Sequence, residues 1–138
     1  FGSGANLQEL YLTPSMMDKK AWDDIADGAR WARRFQDILA DVHWVGGNPN
    51  QLEPYGYAAW SPRGCTLALR NPDDQPRTIV LDAATVFEPV KGTPAVFSMK
   101  ASYPDQRVKT LKLEQGKPAS LELQPFEVLV FDMRTDRH

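Results

Sequence analysis

The sequence VKTLKLEQGKPASLELQPFEVLVFDM, residues 108–133, decides the fold class. Leucines alternate with polar residues on both sides of a turn-forming QGKP sequence at residues 115–118. Alternation with a period of two is typical of strands that bury one face. Both faces are apolar over residues 126–131, which indicates a central strand that is covered on both sides. The stretch therefore predicts a hairpin followed by the strand that closes a β-sandwich.

The same alternation recurs upstream, in short runs between residues 55 and 107. Turn-forming sequences separate these runs, and NPDD at residues 71–74 fits a type I turn with proline at its second position. Roughly six to eight short strands at regular spacing are expected. The predicted fold class is mainly β: a two-sheet antiparallel β-sandwich preceded by an N-terminal helical segment.

Residues 12–42 have a helical pattern instead. Thr13-Pro14 and the capping-box sequence SMMD at residues 15–18 predict the start of the helix, and Gly46-Gly47 lies just past its predicted end. Turn-forming residues 46–54, GGNPNQLEP, predict a linker. We therefore expect a helical arm at residues 1–45, this linker, and the sandwich at residues 55–135.

The predicted helix carries two apolar faces, and a helix on the surface of a small domain needs only one. At about 100° per residue the two faces lie nearly opposite each other. Two faces predict either a bend near Gly28 or burial of the helix between two bodies. The first face consists of Trp22, Ile25, Ala26 and Ala29, and the second of Trp31, Phe35, Ile38 and Val42.

Composition excludes several classes of protein. The chain has 138 residues, 42% of them hydrophobic and 25% charged, which suits one globular domain with or without an appendage. A net charge of −2 with no basic stripe argues against nucleic-acid binding. No apolar run has the length of a membrane span, so no membrane partner is expected. The first residue is Phe1 and not Met, which favours an excised or processed piece of a longer protein.

The sequence contains no catalytic or metal-binding signature. Cys65 is the only cysteine and lies in the apolar run CTLAL, so it is interpreted as a core residue and not as a nucleophile paired with His43. The only other histidine is His138 at the terminus, which makes a zinc site improbable. A calcium site built from carboxylates stays open, but we expect no metal and no cofactor. The adjacent acids Asp23-Asp24 and Asp73-Asp74 are interpreted as solvated charges and turn formers.

Aromatic residues are concentrated around the predicted linker: Trp44, Tyr55, Tyr57 and Trp60. Flat aromatic faces bind pyranose rings through C–H groups, but paired tyrosines on one strand face more often pack in a core or a domain junction. The junction interpretation is favoured. Tyr55, Tyr57 and Trp60 remain candidate substrate-binding residues under the alternative.

The order of several segments resembles the C-terminal region of α-galactosidase-like (melibiase-type) glycoside hydrolases. The chain is most similar to a bacterial, poorly characterised branch loosely called enterotoxin-like. The resemblance covers nearly the whole chain, and the order of the segments carries it more than any single motif. These segments are LQELYLTPSMM, DKKAWDDIADGARWARRF, HWVGGNP, YGYAAWSPRG, LALRNPDDQP and LQPFEVLVFDM.

The resemblance implies a catalytic (β/α)₈ barrel followed by an antiparallel sandwich. Residues 1–11 would be the end of the last barrel strand and its loop, residues 14–42 the last barrel helix region, and residues 55–133 the sandwich. The catalytic carboxylates of the family come from earlier barrel strands, so no catalytic residue is assigned here. The resemblance also implies a role in carbohydrate metabolism and an extracytoplasmic, periplasmic or secreted, location.

The same comparison suggests where a substrate would lie. Barrel active sites lie at the C-terminal ends of the strands, so the loop at residues 2–9 would face the substrate. Asn6, Gln8 and Glu9 are therefore candidate substrate-binding residues.

Three functions follow from these patterns. The first is a noncatalytic accessory sandwich that packs on and stabilises the missing catalytic barrel of the same polypeptide. The second is a self-standing carbohydrate-binding module, with carbohydrate as its partner. The third is a structural interaction domain. In each case the chain alone is not expected to be an enzyme.

Overall fold

A computed structural model describes residues 1–5, 7 and 9–135. Two antiparallel sheets follow an N-terminal helical segment, which confirms the predicted fold class. The helices are α1 (Lys19–Arg34) and α2 (Ala83–Phe87), with 3-10 turns at Pro14–Met16 and Pro49–Gln51. The strands are β1 (Val42–Gly46), β2 (Tyr55–Ser61), β3 (Gly64–Arg70), β4 (Arg77–Leu81), β5 (Val96–Ala101), β6 (Thr110–Glu114), β7 (Ala119–Leu123) and β8 (Val128–Arg134).

The larger sheet has six strands in the order β1-β2-β3-β8-β5-β6, and the smaller one pairs β4 with β7. β8 lies in the interior of the large sheet between β3 and β5, as its apolar sequence predicts. Leu129 and Phe131 of β8 are fully buried on one face of the sheet, while Val130 packs against α1 on the other. The large sheet is therefore covered by β4, β7 and α2 on one side and partly by α1 on the other.

The helix is shorter than the sequence predicts. Thr13-Pro14 starts only a 3-10 turn, and α1 begins at Lys19. The side chain of Asp18 caps α1 by accepting a hydrogen bond from the backbone N–H of Ala21 at 2.7 Å. α1 ends at Arg34, so the helix does not extend to residue 42.

Two short elements have no counterpart in the prediction. Val42–Gly46 forms β1, an edge strand paired with β2, where the sequence predicts the end of a helix. Ala83–Phe87 forms α2, which Asp82 caps and whose apolar side is buried under the large sheet. Both elements have only five residues, too few for a periodic pattern.

The N-terminal residues fill the space between α1 and the large sheet. A Cβ atom on Gly28 would lie 2.7 Å from Cδ2 of Phe1, and one on Gly2 would lie 2.9 Å from Cβ of Ala68. α1 continues without interruption through Gly28. Gly28 therefore makes room for the Phe1 ring and does not mark a bend.

A buried turn connects the two sheets. Asn71 is fully buried, and its side-chain amide lies within 2.8–3.3 Å of the carbonyl oxygens of Gln75, Leu123 and Gln124. Asp73 is also buried and accepts hydrogen bonds from the backbone of Gln75 and, at 2.6 Å, from Nε of Arg77. The sequence predicts Asp73 to be a solvated turn former, and it is instead a buried, paired carboxylate.

We predict that Asp73→Asn changes the pH dependence of stability. The hydrogen bond from Arg77 is the main cause that lowers the pKa of Asp73 below its ordinary 3.8. A lowered folded-state pKa contributes stability that is present above the ordinary pKa and is lost as pH falls through the folded value. Urea unfolding between pH 7 and pH 2 should show lower stability at neutral pH and a shallower acid loss in the variant than in the wild type.

The control is Asp41→Asn, because Asp41 is exposed and its variant should reproduce the wild-type profile. An Asp73→Asn profile parallel to that of the wild type would contradict the role of this carboxylate.

Candidate functional site

One face of α1 is anchored to the large sheet. Trp31 is 5% exposed, and its indole Nε1–H points at two acceptors, Oγ of Ser102 and Oδ2 of Asp132, each at 3.1 Å. Phe35 and Ile38 are buried beside it against Ala59 of β2. The second apolar face that the sequence predicts is therefore the face covered by the sandwich.

Charged groups hold the end of α1 in place. The Phe35 ring lies beside two guanidinium groups, with Cζ of Arg34 at 5.0 Å and Cζ of Arg134 at 5.1 Å from its centroid. Asp37 forms salt bridges with Arg63 at 3.0 Å and with Arg134 at 2.7 Å. The hydrogen bond from Arg63 is the main cause that holds the pKa of Asp37 below its usual range. α1 is thus fixed to both the β2–β3 turn and the end of β8.

The opposite face of α1 is open. Trp22 precedes Trp31 by nine residues, which at about 100° per residue places it half a turn away. Trp22 is 45% exposed. The segment before α1 exposes further large apolar side chains: Leu7, Leu10, Tyr11, Leu12 and Met16. We call this segment, residues 7 and 9–16, the N-terminal arm.

A groove of about 570 Å³ runs along the flank of α1. Ile25 and Ala29 of the first predicted face line it, together with Phe1 and Leu10 from the N-terminal segment and Leu39 beyond the helix. We call it the α1 groove. The side chains at its base are mainly aliphatic, which suits contact with another apolar surface better than it suits acid–base chemistry.

A second groove, of about 500 Å³, lies between α1 and residues 103–107 and is lined by charged side chains. Three of its carboxylates are already paired: Asp24 with Lys20, Asp27 with Arg30, and Glu127 with Arg107. A glycosidase needs two carboxyl groups facing each other across the substrate, one of them with a raised pKa. The hydrogen bond from Arg107 is the main cause that lowers the pKa of Glu127, which is the opposite of the shift that a general acid needs.

Cys65 and His43 have structural roles. Cys65 is buried in the core, and burial raises the pKa of its thiol to about 12, which disfavours the nucleophilic thiolate. Nε2 of His43 lies 2.5 Å from the carbonyl oxygen of Val86, a contact that ties β1 to α2. In the part of the chain that the structure describes, no three His, Cys, Asp or Glu side chains come together as a metal site. His138 lies outside the described residues.

Of the three predicted substrate residues in the N-terminal loop, only Glu9 lies among the described residues. Asn6 and Gln8 lie outside the described residues. Glu9 is exposed on the N-terminal arm and accepts a hydrogen bond from the Tyr11 hydroxyl at 3.1 Å. Their contact with a substrate stays a prediction.

The second set of predicted substrate residues is divided between two faces of β2. Tyr55 and Tyr57 lie on the α1 side of the sheet, where both contact Trp44 of β1. Trp60 has the opposite parity and packs against the core between the sheets. There it lines a mainly apolar cavity of about 510 Å³ with Pro62, Val96 and other residues. The sequence does not predict Trp44 as a substrate residue, because its position across from Tyr57 depends on β1 being a strand.

The overall fold is similar to part of a known enzyme-related structure. It overlaps the structure of a protein assigned as an alpha-N-acetylgalactosaminidase from Bacillus halodurans C-125 with a TM-score of 0.59 and 15% identity, over 87% of this chain and 26% of that one. At this identity the likeness establishes a shared fold. The chain spans about a quarter of that protein's length.

Other comparisons add little. A trehalulose synthase overlaps with a TM-score of 0.44 and 17% identity, over 82% of this chain and 20% of that one, which is too loose to compare positions. The sequence matches no protein-family model and no curated protein. Among the described residues no helix combines the length and apolarity needed to cross a bilayer.

We predict that two tryptophans on the same helix differ sharply in their effect on stability. Trp31→Ala should lower the free energy of unfolding by about 3–5 kcal/mol, because it removes a buried indole and the hydrogen bonds that this indole donates to Ser102 and Asp132. Trp22→Ala should change it by about 0.5 kcal/mol or less, as is usual for exposed positions. Urea unfolding of the two variants measures both values. Equal losses would contradict the assignment of inner and outer faces.

Proposed function

We propose that this chain is the noncatalytic C-terminal accessory region of a bacterial glycoside hydrolase. Its N-terminal arm and α1 groove would pack on a catalytic (β/α)₈ barrel that precedes residue 1 in the same polypeptide. The observation that carries this proposal is the helix itself, with Trp31 buried on one face and Trp22 open on the other.

The exposed apolar side chains support an interface. Leu10, Tyr11, Met16 and Trp22 are all exposed within one continuous stretch of chain. Large apolar patches on soluble proteins mark binding surfaces more often than chance, and aromatic and methionine side chains are enriched at the centres of such surfaces. Burying these side chains would stabilise an arrangement in which a second body covers α1.

The position of Phe1 supports a partner in the same polypeptide. Phe1 lines the α1 groove, so any residues that precede it would leave the sandwich at the groove's own edge. A body attached there is held close to the groove by a short connection, which raises its effective concentration at that surface. The fold neighbour likewise has most of its chain outside the region of overlap.

The chemistry of the chain supports an accessory role. Asp24, Asp27 and Glu127 are held in salt bridges, and the thiol of Cys65 is kept protonated by burial. The carboxylate pair that hydrolyses the glycosidic bond would therefore belong to the barrel. The resemblance of the segment order makes an α-galactosidase-like parent the specific form of the proposal, and an extracytoplasmic location goes with it. Contact of Asn6, Gln8 and Glu9 with the parent's substrate belongs to the same proposal.

We predict that Trp22 and Met16 become protected when the preceding polypeptide is present. Hydroxyl-radical footprinting should oxidise both side chains readily in the 138-residue chain, because both are exposed, and much less in the longer gene product. Val80, which is exposed on the small sheet far from the α1 side, is the internal control and should react equally in both. Equal oxidation of Trp22 and Met16 in the two proteins would contradict the proposed packing.

A second prediction concerns activity. The 138-residue chain should not hydrolyse nitrophenyl α-galactoside, while the longer gene product should hydrolyse a nitrophenyl glycoside. Turnover by the purified short chain that is abolished by Asp27→Asn or Asp105→Asn would place the reaction in this region and overturn the accessory role.

A further inference from the structure

Part of the large sheet on the α1 side is left uncovered. α1 packs over Val42 and Ala59 at one end of β1 and β2, and over Val130 of β8. Farther along β1 and β2, Trp44 and Tyr57 are directly opposite each other in register, and Tyr55 is opposite Arg70. We call the residues Trp44, Tyr55, Tyr57 and Arg70 the aromatic shelf.

The Trp44 indole is held in a fixed orientation. It stacks on the Tyr55 ring with centroids 4.8 Å apart and planes inclined by 3°, and the Tyr57 ring stands at 83° to it at 5.4 Å. Nε1 of Trp44 donates a hydrogen bond to the carbonyl of Gly47 at 3.2 Å. An aromatic ring ordered before binding loses little conformational entropy when a ligand packs on it.

Gly46 makes this arrangement possible. It lies opposite Tyr55 in the sheet, and with no side chain there the indole is free to lean along the strand onto the tyrosine ring. A Cβ atom on Gly46 would lie 2.5 Å from the carbonyl oxygen of Pro54, and its φ of +88° also favours glycine. The same Cβ atom would lie 2.9 Å from Cδ1 of Ile79 in the core. The turn after β1 and the core beside it therefore require glycine here, and the strand position opposite Tyr55 carries no side chain.

The glycine at position 46 explains how Trp44 can stack on Tyr55, but it does not explain why so much of the Trp44 indole is exposed to solvent. Trp44 is 46% exposed even though it stacks on Tyr55 and contacts Tyr57, so a large part of the indole remains open to solvent. β1 is the edge strand of the sheet, and no further strand in the described part of the chain covers it. The guanidinium of Arg70 is exposed and forms no salt bridge with any described carboxylate.

We propose that the aromatic shelf binds a pyranose ring of a neutral polysaccharide. The axial C–H groups of a pyranose pack on a flat aromatic face such as that of Trp44. The hydroxyl groups of Tyr55 and Tyr57 and the guanidinium of Arg70 supply hydrogen-bond partners for the ring's hydroxyls. Because the surface is open and not a closed pocket, it fits an internal residue of a long chain.

This site uses different side chains from the α1 groove, and Gly2, next to Phe1 of the groove, lies against Ala68 beside Tyr57. The groove uses the N-terminal arm and the outer flank of α1, whereas the shelf uses the sheet surface at the ends of β1, β2 and β3. The shelf therefore does not depend on the barrel contact proposed above. It would attach the protein to an extended carbohydrate and not contribute to the cleavage step.

Affinity electrophoresis of the 138-residue chain tests the proposal. Native gels containing galactomannan, xylan, mixed-linkage glucan or starch should retard the wild-type protein in at least one case. Trp44→Ala should weaken that binding about tenfold or more, because it removes the stacking face. Trp44→Phe keeps an aromatic face and should retain most of the binding. Circular dichroism of each variant checks that the fold is intact.

Trp22→Ala is the matched control, because Trp22 is as exposed as Trp44 but lies on α1. This variant should bind the polysaccharide like the wild type. Absence of retardation in all four gels, or equal loss of binding in Trp22→Ala and Trp44→Ala, would overturn the proposal. So would protection of Trp44 from radical oxidation in the longer gene product, since the shelf would then be a protein interface. Whether a barrel packs on α1 is tested separately, by the radical oxidation of Trp22 and Met16.

Discussion

The hydrogen bonds from the Trp31 indole to Ser102 and Asp132 determine the orientation of α1. They join the helix to the β5 and β8 side of the sheet, and the buried rings of Trp31 and Phe35 exclude water from that contact. The salt bridges of Asp37 with Arg63 and Arg134 fix the end of the helix in the same orientation. Once this inner face is fixed, the rotation of α1 about its axis is fixed as well. Trp22 must then face away from the sandwich, along with the flank that forms the α1 groove.

Two different surfaces follow from that orientation. The first is the outer side of α1 with the N-terminal arm, which exposes aliphatic, aromatic and methionine side chains and suits a protein partner. The second is the aromatic shelf, which remains exposed because α1 packs over Val42, Ala59 and Val130 but leaves Trp44 open to solvent. The placement of α1 therefore leaves the outer side of the helix for a protein domain attached at Phe1, and the aromatic shelf for a ligand from solution.

Local patterns account for what the sequence predicts correctly. Alternation over residues 108–133 depends only on neighbouring residues, and β6, β7 and β8 form there. The two faces of α1 also follow from local spacing. Local spacing does not show which of the two faces is buried, because the hydrogen-bond partners of Trp31 lie 71 and 101 residues away in the sequence. β1 does not follow from local sequence either, because five residues carry little pattern and their strand conformation comes from pairing with β2.

The candidate site residues are also brought together by long-range contacts that local sequence does not show. Closeness in sequence groups Tyr55, Tyr57 and Trp60, although the period of two in a strand puts Trp60 on the opposite face from the tyrosines. Trp44 joins the tyrosines only through the register of β1 with β2. Local sequence does not show that Asp73 is buried, because the turn between β7 and β8 that packs on it lies about fifty positions later, where the backbone N–H of Phe126 donates to the carbonyl of Asp73 at 3.0 Å.

The most direct test of the account is whether the folded 138-residue chain exposes the outer side of α1 in solution. Sedimentation velocity at increasing concentration, with binding of a hydrophobic dye measured under the same conditions, addresses this. The account predicts dye binding or concentration-dependent self-association by the natively folded wild type, and a clear decrease of both in a Leu10→Lys, Trp22→Lys double variant with unchanged circular dichroism. A wild-type chain that remains monomeric at all concentrations and binds no dye would contradict it.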